Sequence, residues 1–557
     1  MVDCAMPARM LLACALAGGG FLFAQQATPP QSGNSGAYRI AGMVISKTDG
    51  HPLARARVAI TDARNSRKSQ FVITGEDGKF AFDQLPAGKY SLAGAKRGFI
   101  SAFYDQHEQF STAIVTGAGV DTESLILKLA PNAVILGRVL DEAGEPVRGA
   151  HVTLYADNHQ QGRDQILTAG NAQTNDLGAY EFPSLSPGTY FLSVSATPWY
   201  ATHPPPSSAA QSGSGTGGNS ETAVDRSLDV AYPLTYYPDA TEADSAAPIP
   251  IAGGERLQID FQLSPAPALR LRFHVPGDAQ HGYSFPQFEQ STFDGFTFVQ
   301  TTGDDMVSPG VVEINGLPAG HYNVRFSGRN SGLQMNGVDL TRDNELIDAS
   351  AAEPLGQVHV SVQTSGEVTN LRDFAVALRG PGRMFAAVHK LDEKGQAQLE
   401  QVPPGRYSVL VWGARKPYSI AQMSAEGAQL LGHTVTVTAG ASVSLTLALA
   451  PGNVDVQGIV KRGGKPLAGA MVVLVPKNPE GKGDLFRRDQ SDLDGTFDLR
   501  AVVPGEYTVI AIENGWDLDW SQPDVIAAYA RHGQSIHLQE TNGRTFNLED
   551  AVQVQSK

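Results

Sequence analysis

Along most of the chain, apolar residues recur at every second position, in short runs separated by turns rich in Gly, Pro, Asn and Asp. That period belongs to half-buried β-strands. Leu125, Leu127 and Leu129 share one face of such a run, as do Leu257, Ile259, Phe261 and Leu263. So do Val443, Leu445, Leu447 and Leu449, and again Tyr507, Val509 and Ala511. Long helical patterns are scarce. One helix is expected near the C-terminus, from Gln522 to His532, where Val525, Ala528 and Tyr529 make a short apolar face. The pattern predicts an all-β protein with many turns.

The fullest unit of the pattern runs from Ser491 to Tyr507. Asp494-Gly495 supplies the positive φ of a two-residue hairpin turn. Thr496, Phe497 and Leu499 form a strand, and Pro504-Gly505 makes a second turn into the strand that starts at Tyr507. The same design recurs at Asp77-Gly78 with Tyr90, Leu177-Gly178 with Tyr190, Pro309-Gly310 with Tyr322, and Lys394-Gly395 with Tyr407. The spacing is too long for a solenoid repeat and suits a string of about five small domains.

In chain order these are expected at 38–131, 132–265, 266–352, 354–451 and 453–557, after a leader at 1–24 and a linker at 25–37. The Pro/Ser/Gly tract 204–220 is expected to be a disordered insert within the second domain. The third unit diverges most: it lacks the Gly-x-Pro-x-x-Gly-Ala run that its neighbours carry.

Arg9 and the apolar stretch Met10 to Phe23, ending in Phe23-Ala24-Gln25, have the layout of a secretory signal peptide cleaved near Ala24. The stretch is short and glycine-rich for a membrane span, and no other segment is apolar enough for one. The two cysteines, Cys4 and Cys14, both lie in this leader. The mature chain is therefore expected to have no disulfide and no thiol chemistry. With 42 basic and 57 acidic residues the formal charge is −15, which argues against nucleic acid and anionic membranes as partners. An exported protein is expected, in the periplasm, associated with the outer membrane, or extracellular.

In this order, Gly-x-Val, Gly-x-Pro-x-x-Gly-Ala-x-Val, Thr-x-x-x-Gly-x-Phe and Leu-x-Pro-Gly-x-Tyr resemble the carboxypeptidase regulatory-like domain. The run is clearest at Val456 to Tyr507 and Ile135 to Tyr190, good at Ile40 to Tyr90, and partial in the third and fourth units. The resemblance implies prealbumin-like (immunoglobulin-like) β-sandwiches, similar also to Cna B-type and starch-binding-like modules. In metallocarboxypeptidases this domain accompanies a zinc catalytic domain, and nothing in this sequence resembles that catalytic partner. Fold does not fix function.

Candidate chemistry is sparse. His107-Glu108 has no second histidine one turn on, so it is no zinc motif. Ser212-Gly213-Ser214-Gly215 sits in low-complexity sequence and makes no nucleophile elbow. Asp492-Leu493-Asp494-Gly495 lacks the further acidic ligands of a calcium loop and is expected to be a turn with two solvent-facing carboxylates. No catalytic, cofactor-binding or metal-ligating set emerges, and no cofactor is expected. The five turn tyrosines are expected to be structural corners, ring in the core and hydroxyl on backbone.

The remaining aromatics are the lead to a ligand. Trp516 and Trp520, flanked by Asp517 and Asp519, have the composition of a sugar platform, rings stacking on pyranose faces and carboxylates taking hydroxyls. Trp199, Tyr236 and Tyr237 border the insert and are further candidates. The sequence thus reads as an exported, non-enzymatic binding or scaffold protein, with a polysaccharide or a cell-envelope protein as partner. The alternatives are a carbohydrate-binding protein using exposed aromatics, and an enzyme with a site assembled between domains.

Overall fold

The computed structural model describes residues 37–63, 65–203, 225–275, 285–327, 332–365, 370–380, 385–413, 417–539 and 544–557. The expected leader with its two cysteines, nearly all of the linker, and the insert lie outside these residues. The described chain is built of β-strands, and its one α-helix is Pro523–Ala530, with Pro at the start of its first turn. Among the described residues no helix is long and apolar enough to cross a membrane.

Five β-sandwiches follow one another, each around its own apolar cluster. All five share one plan. The opening strand is central in one sheet. In the first sandwich this is Tyr38–Ser46, paired antiparallel with Lys79–Leu85 and parallel with the closing strand Leu125–Leu129. In the fourth, Gly356–Thr364 pairs in the same two ways with Gln396–Val402 and Ser442–Pro451. The third sandwich, whose motif is weakest, keeps the plan: Ala266–His274 lies between Val311–Pro318 and the parallel strand Glu345–Asp348. Each opposite sheet is built on antiparallel pairing of the strand that carries the turn tyrosine, such as Gly88–Ala95 against Arg57–Asp62.

Three expectations change in detail. The Asp-Gly turn is not a hairpin: Arg487–Gln490 pairs with Met471–Pro476, whereas Thr496–Val502 pairs with Val454–Arg462 in the facing sheet. Asp77-Gly78 likewise crosses between sheets. A hairpin turn and a crossing turn make the same local demand, a residue at positive φ, so the sequence signal is the same. The closing strand of the second sandwich is two short pieces, Arg256–Gln258 and Phe261–Gln262, both parallel to the opening strand. Val230–Ala231, within the span expected for the second domain, pairs with the opening strand of the third.

The motif residues have structural work in every unit. Gly78, Gly178, Gly310, Gly395 and Gly495 all have φ between 68° and 80°. The carbonyl of each accepts from the opening strand, through Val44, Val139, Val275, Val362 and Val460 N–H at 2.8–2.9 Å. The tyrosine hydroxyls all donate to the carbonyl four residues back: Tyr90 to Pro86, Tyr190 to Ser186, Tyr322 to Pro318, Tyr407 to Pro403 and Tyr507 to Val503, at 2.7–3.0 Å. Thr74, Thr174 and Ser491 are buried staples. Each hydroxyl accepts from the alanine N–H of the Ala56, Ala150 or Ala470 corner and donates to a carbonyl three residues before it.

Candidate functional site

The string is closed on itself. Neighbours in sequence meet: Asn132, at the start of the second sandwich, donates its N–H to the Gly98 carbonyl of the first at 2.9 Å, and Thr168 N–H donates to Asp294 of the third. Arg325 donates to the Gln401 carbonyl of the fourth. His433 N–H donates to the Gly481 carbonyl of the fifth, with its ring against Asp484 at 2.6 Å. The fifth sandwich then packs back onto the first and second.

The strand Arg487–Gln490 makes this junction. Arg488 reaches both carboxylate oxygens of Glu108, at 3.2 and 2.7 Å, and the Gln160 carbonyl at 3.2 Å. Its guanidinium lies 4.2 Å over the Trp520 ring. Gln490, 1% exposed, donates to the Asp105 carbonyl and to Thr112, while His107 Nδ1 meets its Oε1 at 3.2 Å. Asp492 accepts from Lys89 at 2.5 Å and from Ala113 N–H at 3.0 Å. Burial pushes the Asp492 carboxyl up, and Lys89 opposes that shift. Asp492 is therefore not solvent-facing, and its oxygens are committed to the first sandwich.

The expected sugar platform falls within this junction. Trp520 is 7% exposed, wedged against Phe486 with centroids 5.6 Å apart, and backed by the Ser521–Gly162 hydrogen bonds. Trp516 stacks on His107 at 5.0 Å and 6°, touches Phe110, and donates to the Gly469 carbonyl. Asp519 accepts from Asp164 N–H at 3.0 Å and lies 3.2 Å from His159 Nε2, whose Nδ1 faces Asp164 at 2.7 Å. Asp517 pairs with Lys557. Trp516 and Trp520 are thus joints between sandwiches and do not form an open aromatic face. A Trp every fourth position satisfies either role, and only the returning partner surfaces decide between them.

His159, Asp164 and Asp519 are close enough to hold a cation. The two carboxylates address opposite nitrogens of one ring, however, so a single ion cannot take all three without turning the imidazole. The arrangement is that of an imidazole clamped between two acids.

The other candidates lie around the second and third sandwiches. Tyr236 is fully buried among Tyr155 and Phe293, and Tyr237 packs edge-on against Phe261 in the second core. Trp199 is 84% exposed and stands edge-on to Tyr200, whose hydroxyl donates to Glu142 together with that of Tyr232. Burial first, and then the Glu142 carboxylate, push the Tyr200 hydroxyl up to about 12. Of the seven candidates Trp199 alone is an open aromatic surface.

Sequence reasoning missed Arg488 and Gln490, and weighed His107-Glu108 only as a zinc motif, not as part of a junction. A polar run such as Arg487–Gln490 signals a solvated strand edge, and nothing local marks it as an interface. It also missed a cavity of about 530 Å³ between the second and third sandwiches, lined by residues that include His151, Tyr155, Ser193, His203 and Gln290.

No curated protein matches the chain. Among solved structures it is similar to the Bacillus anthracis TIE protein, at 11% identity over 77% of this chain and 76% of that one, with a TM-score of 0.18. It is similar to GBS52, the minor pilin of Streptococcus agalactiae, at 12% identity over 41% and 97%, with a TM-score of 0.21. It is also similar to BcpA, the major pilin subunit of Bacillus cereus, at 10% identity over 74% and 99%, with a TM-score of 0.14. The run Val456 to Tyr507 lies outside the segments that match a family model. Those segments, residues 39–116 and 134–210, match the carboxypeptidase regulatory-like domain, and they fall on the first two sandwiches.

Proposed function

We propose that the protein is an exported, non-enzymatic scaffold or binding protein of the cell envelope or cell surface, working as one closed body of five sandwiches. The observation that carries this reading is the closure: the fifth sandwich is held to the first through the buried Arg488–Glu108 pair and Gln490. A body closed in this way holds its outer faces in fixed relation, which is what a scaffold needs and a flexible string lacks. Export rests on the apolar leader after Arg9. The recurrent residues support the non-enzymatic reading, because the turn glycines, corner tyrosines and threonine staples are consumed by the fold. Fractionation of native cells, followed by crosslinking and identification of co-purifying envelope components, tests it. Recovery with the cytosolic fraction overturns the reading.

A further inference from the structure

The cavity between the second and third sandwiches has a distinct chemistry. One wall is the outward face of the strands His151–Asn158 and Gly188–Ser195, where His151, Thr153, Tyr155 and Ser193 line it. The period-two rule puts 151, 153 and 155 on the face opposite the core residues Val152 and Leu154. The other wall is the end of the third sandwich. There Gln290 takes the face of its strand that also carries the core residue Phe288.

Gln290 is 6% exposed and lines the cavity, yet its amide has no hydrogen-bond partner among the described residues. An amide so nearly enclosed, with its polar atoms still reachable, gains from any partner that enters. Here its remaining exposure opens into a space lined by further hydroxyls and amides. His203 is oriented toward the same space: Asp229 holds its Nδ1 at 2.7 Å, and Nε2 lies beside Gly316. Charge is biased as well. In a chain with 15 more acidic than basic residues, the lining has no carboxylate and carries Arg148 at its exposed rim. The volume falls within the about 300–1,000 Å³ usual for ligand sites.

We propose that this cleft binds an acidic oligosaccharide. The hydroxyl- and amide-bearing walls and the unpaired Gln290 amide take sugar hydroxyls. The exposed Phe298 ring supplies an apolar face for a sugar ring, and Arg148 meets a sugar carboxylate. The site is separate from the fifth-sandwich junction, so its failure leaves the closure reading standing.

Calorimetric titration of the full chain with trigalacturonate and with uncharged galactotriose tests this. Trigalacturonate binds and galactotriose binds about tenfold more weakly or worse, since a hydrogen bond to a charged group is worth about that much. Arg148→Gln, at an exposed position, removes the preference for the acid without moving the melting temperature. Gln290→Leu weakens both sugars together. Absence of trigalacturonate binding at millimolar concentration overturns the proposal. So does equal affinity for the two sugars, or an Arg148→Gln variant that binds as the parent does. A poly-glutamate peptide that outcompetes trigalacturonate overturns the sugar class.

Discussion

Arg488 and Glu108 form a two-pronged ion pair across 380 positions of sequence, with side chains only 4% and 13% exposed. The pair fastens the last sandwich to the first. Buried ion pairs add little net stability when whole, but removing one partner strands a charge away from water at about 3–5 kcal/mol.

Glu108→Gln is therefore expected to weaken the closure more than the sandwiches. Small-angle scattering of the variant should give a larger radius of gyration, and hydrogen exchange should rise first around Thr112 and Gln490. Unchanged scattering and exchange would show that the junction does not depend on this pair.

The tryptophans separate by burial. Trp520→Ala removes a ring wedged between the fifth core and Gly162 of the second sandwich, and should cost about 3–5 kcal/mol. Trp199→Ala, at 84% exposure, should stay within about 0.5 kcal/mol of the parent. Thermal melts of both variants check this, and a harmless Trp520→Ala would return that ring to the surface.

Arg55 has φ 55° at the position where the second and fifth sandwiches have Gly149 and Gly469, both at φ 76°. A non-glycine residue in that region is strained by about 1–2 kcal/mol. The Arg55 side chain is exposed, and its N–H keeps its bond to the Thr74 carbonyl whatever the side chain. Arg55→Gly should stabilise the first sandwich by about 1 kcal/mol, and Gly149→Ala should destabilise the second by a similar amount. Denaturant midpoints of the two variants should move in opposite directions.

Burial, only partly offset by the Asp498 and Gln490 N–H groups, raises the Asp489 carboxyl from 3.8 to about 6. The native state therefore binds this proton more tightly than the unfolded chain does. The associated stability is present below about pH 4 and is lost as pH rises through about 6, amounting to at most about 3 kcal/mol. Unfolding free energies at pH 5 and pH 7.5 should show this slope, and Asp489→Asn should flatten it. A slope that survives in Asp489→Asn belongs to another group.

The fifth sandwich has its own core around Val456, Leu474, Phe497 and Val509, and a second apolar layer under the helix that includes Ile510, Ile526 and Trp520. A fragment 453–557 is expected to fold alone and unfold cooperatively. Its Trp516 emission should be red-shifted relative to the full chain, because His107 and Phe110 are missing. A disordered fragment would make the closure part of the fold itself.

The local sequence carries the strands, the repeated unit, the turn glycines, the corner tyrosines and the helix near Pro523. Each of these is set by residues within a few positions of one another: a period of two, a demand for positive φ, a hydroxyl reaching four residues back. It did not determine that the Asp-Gly turns cross between sheets, since a hairpin makes the same local demand. Nor did it determine that closing strands such as Leu125–Leu129 lie parallel to the opening strand, because alternation has no direction. The roles of Trp516, Trp520, Arg488 and Gln290 were decided by the tertiary structure alone. A strand residue has two faces, and which one meets solvent depends on what the rest of the chain brings against it. Where a sandwich returned, the expected platform became a joint; where two sandwiches stood apart, an unremarked glutamine came to line a cleft.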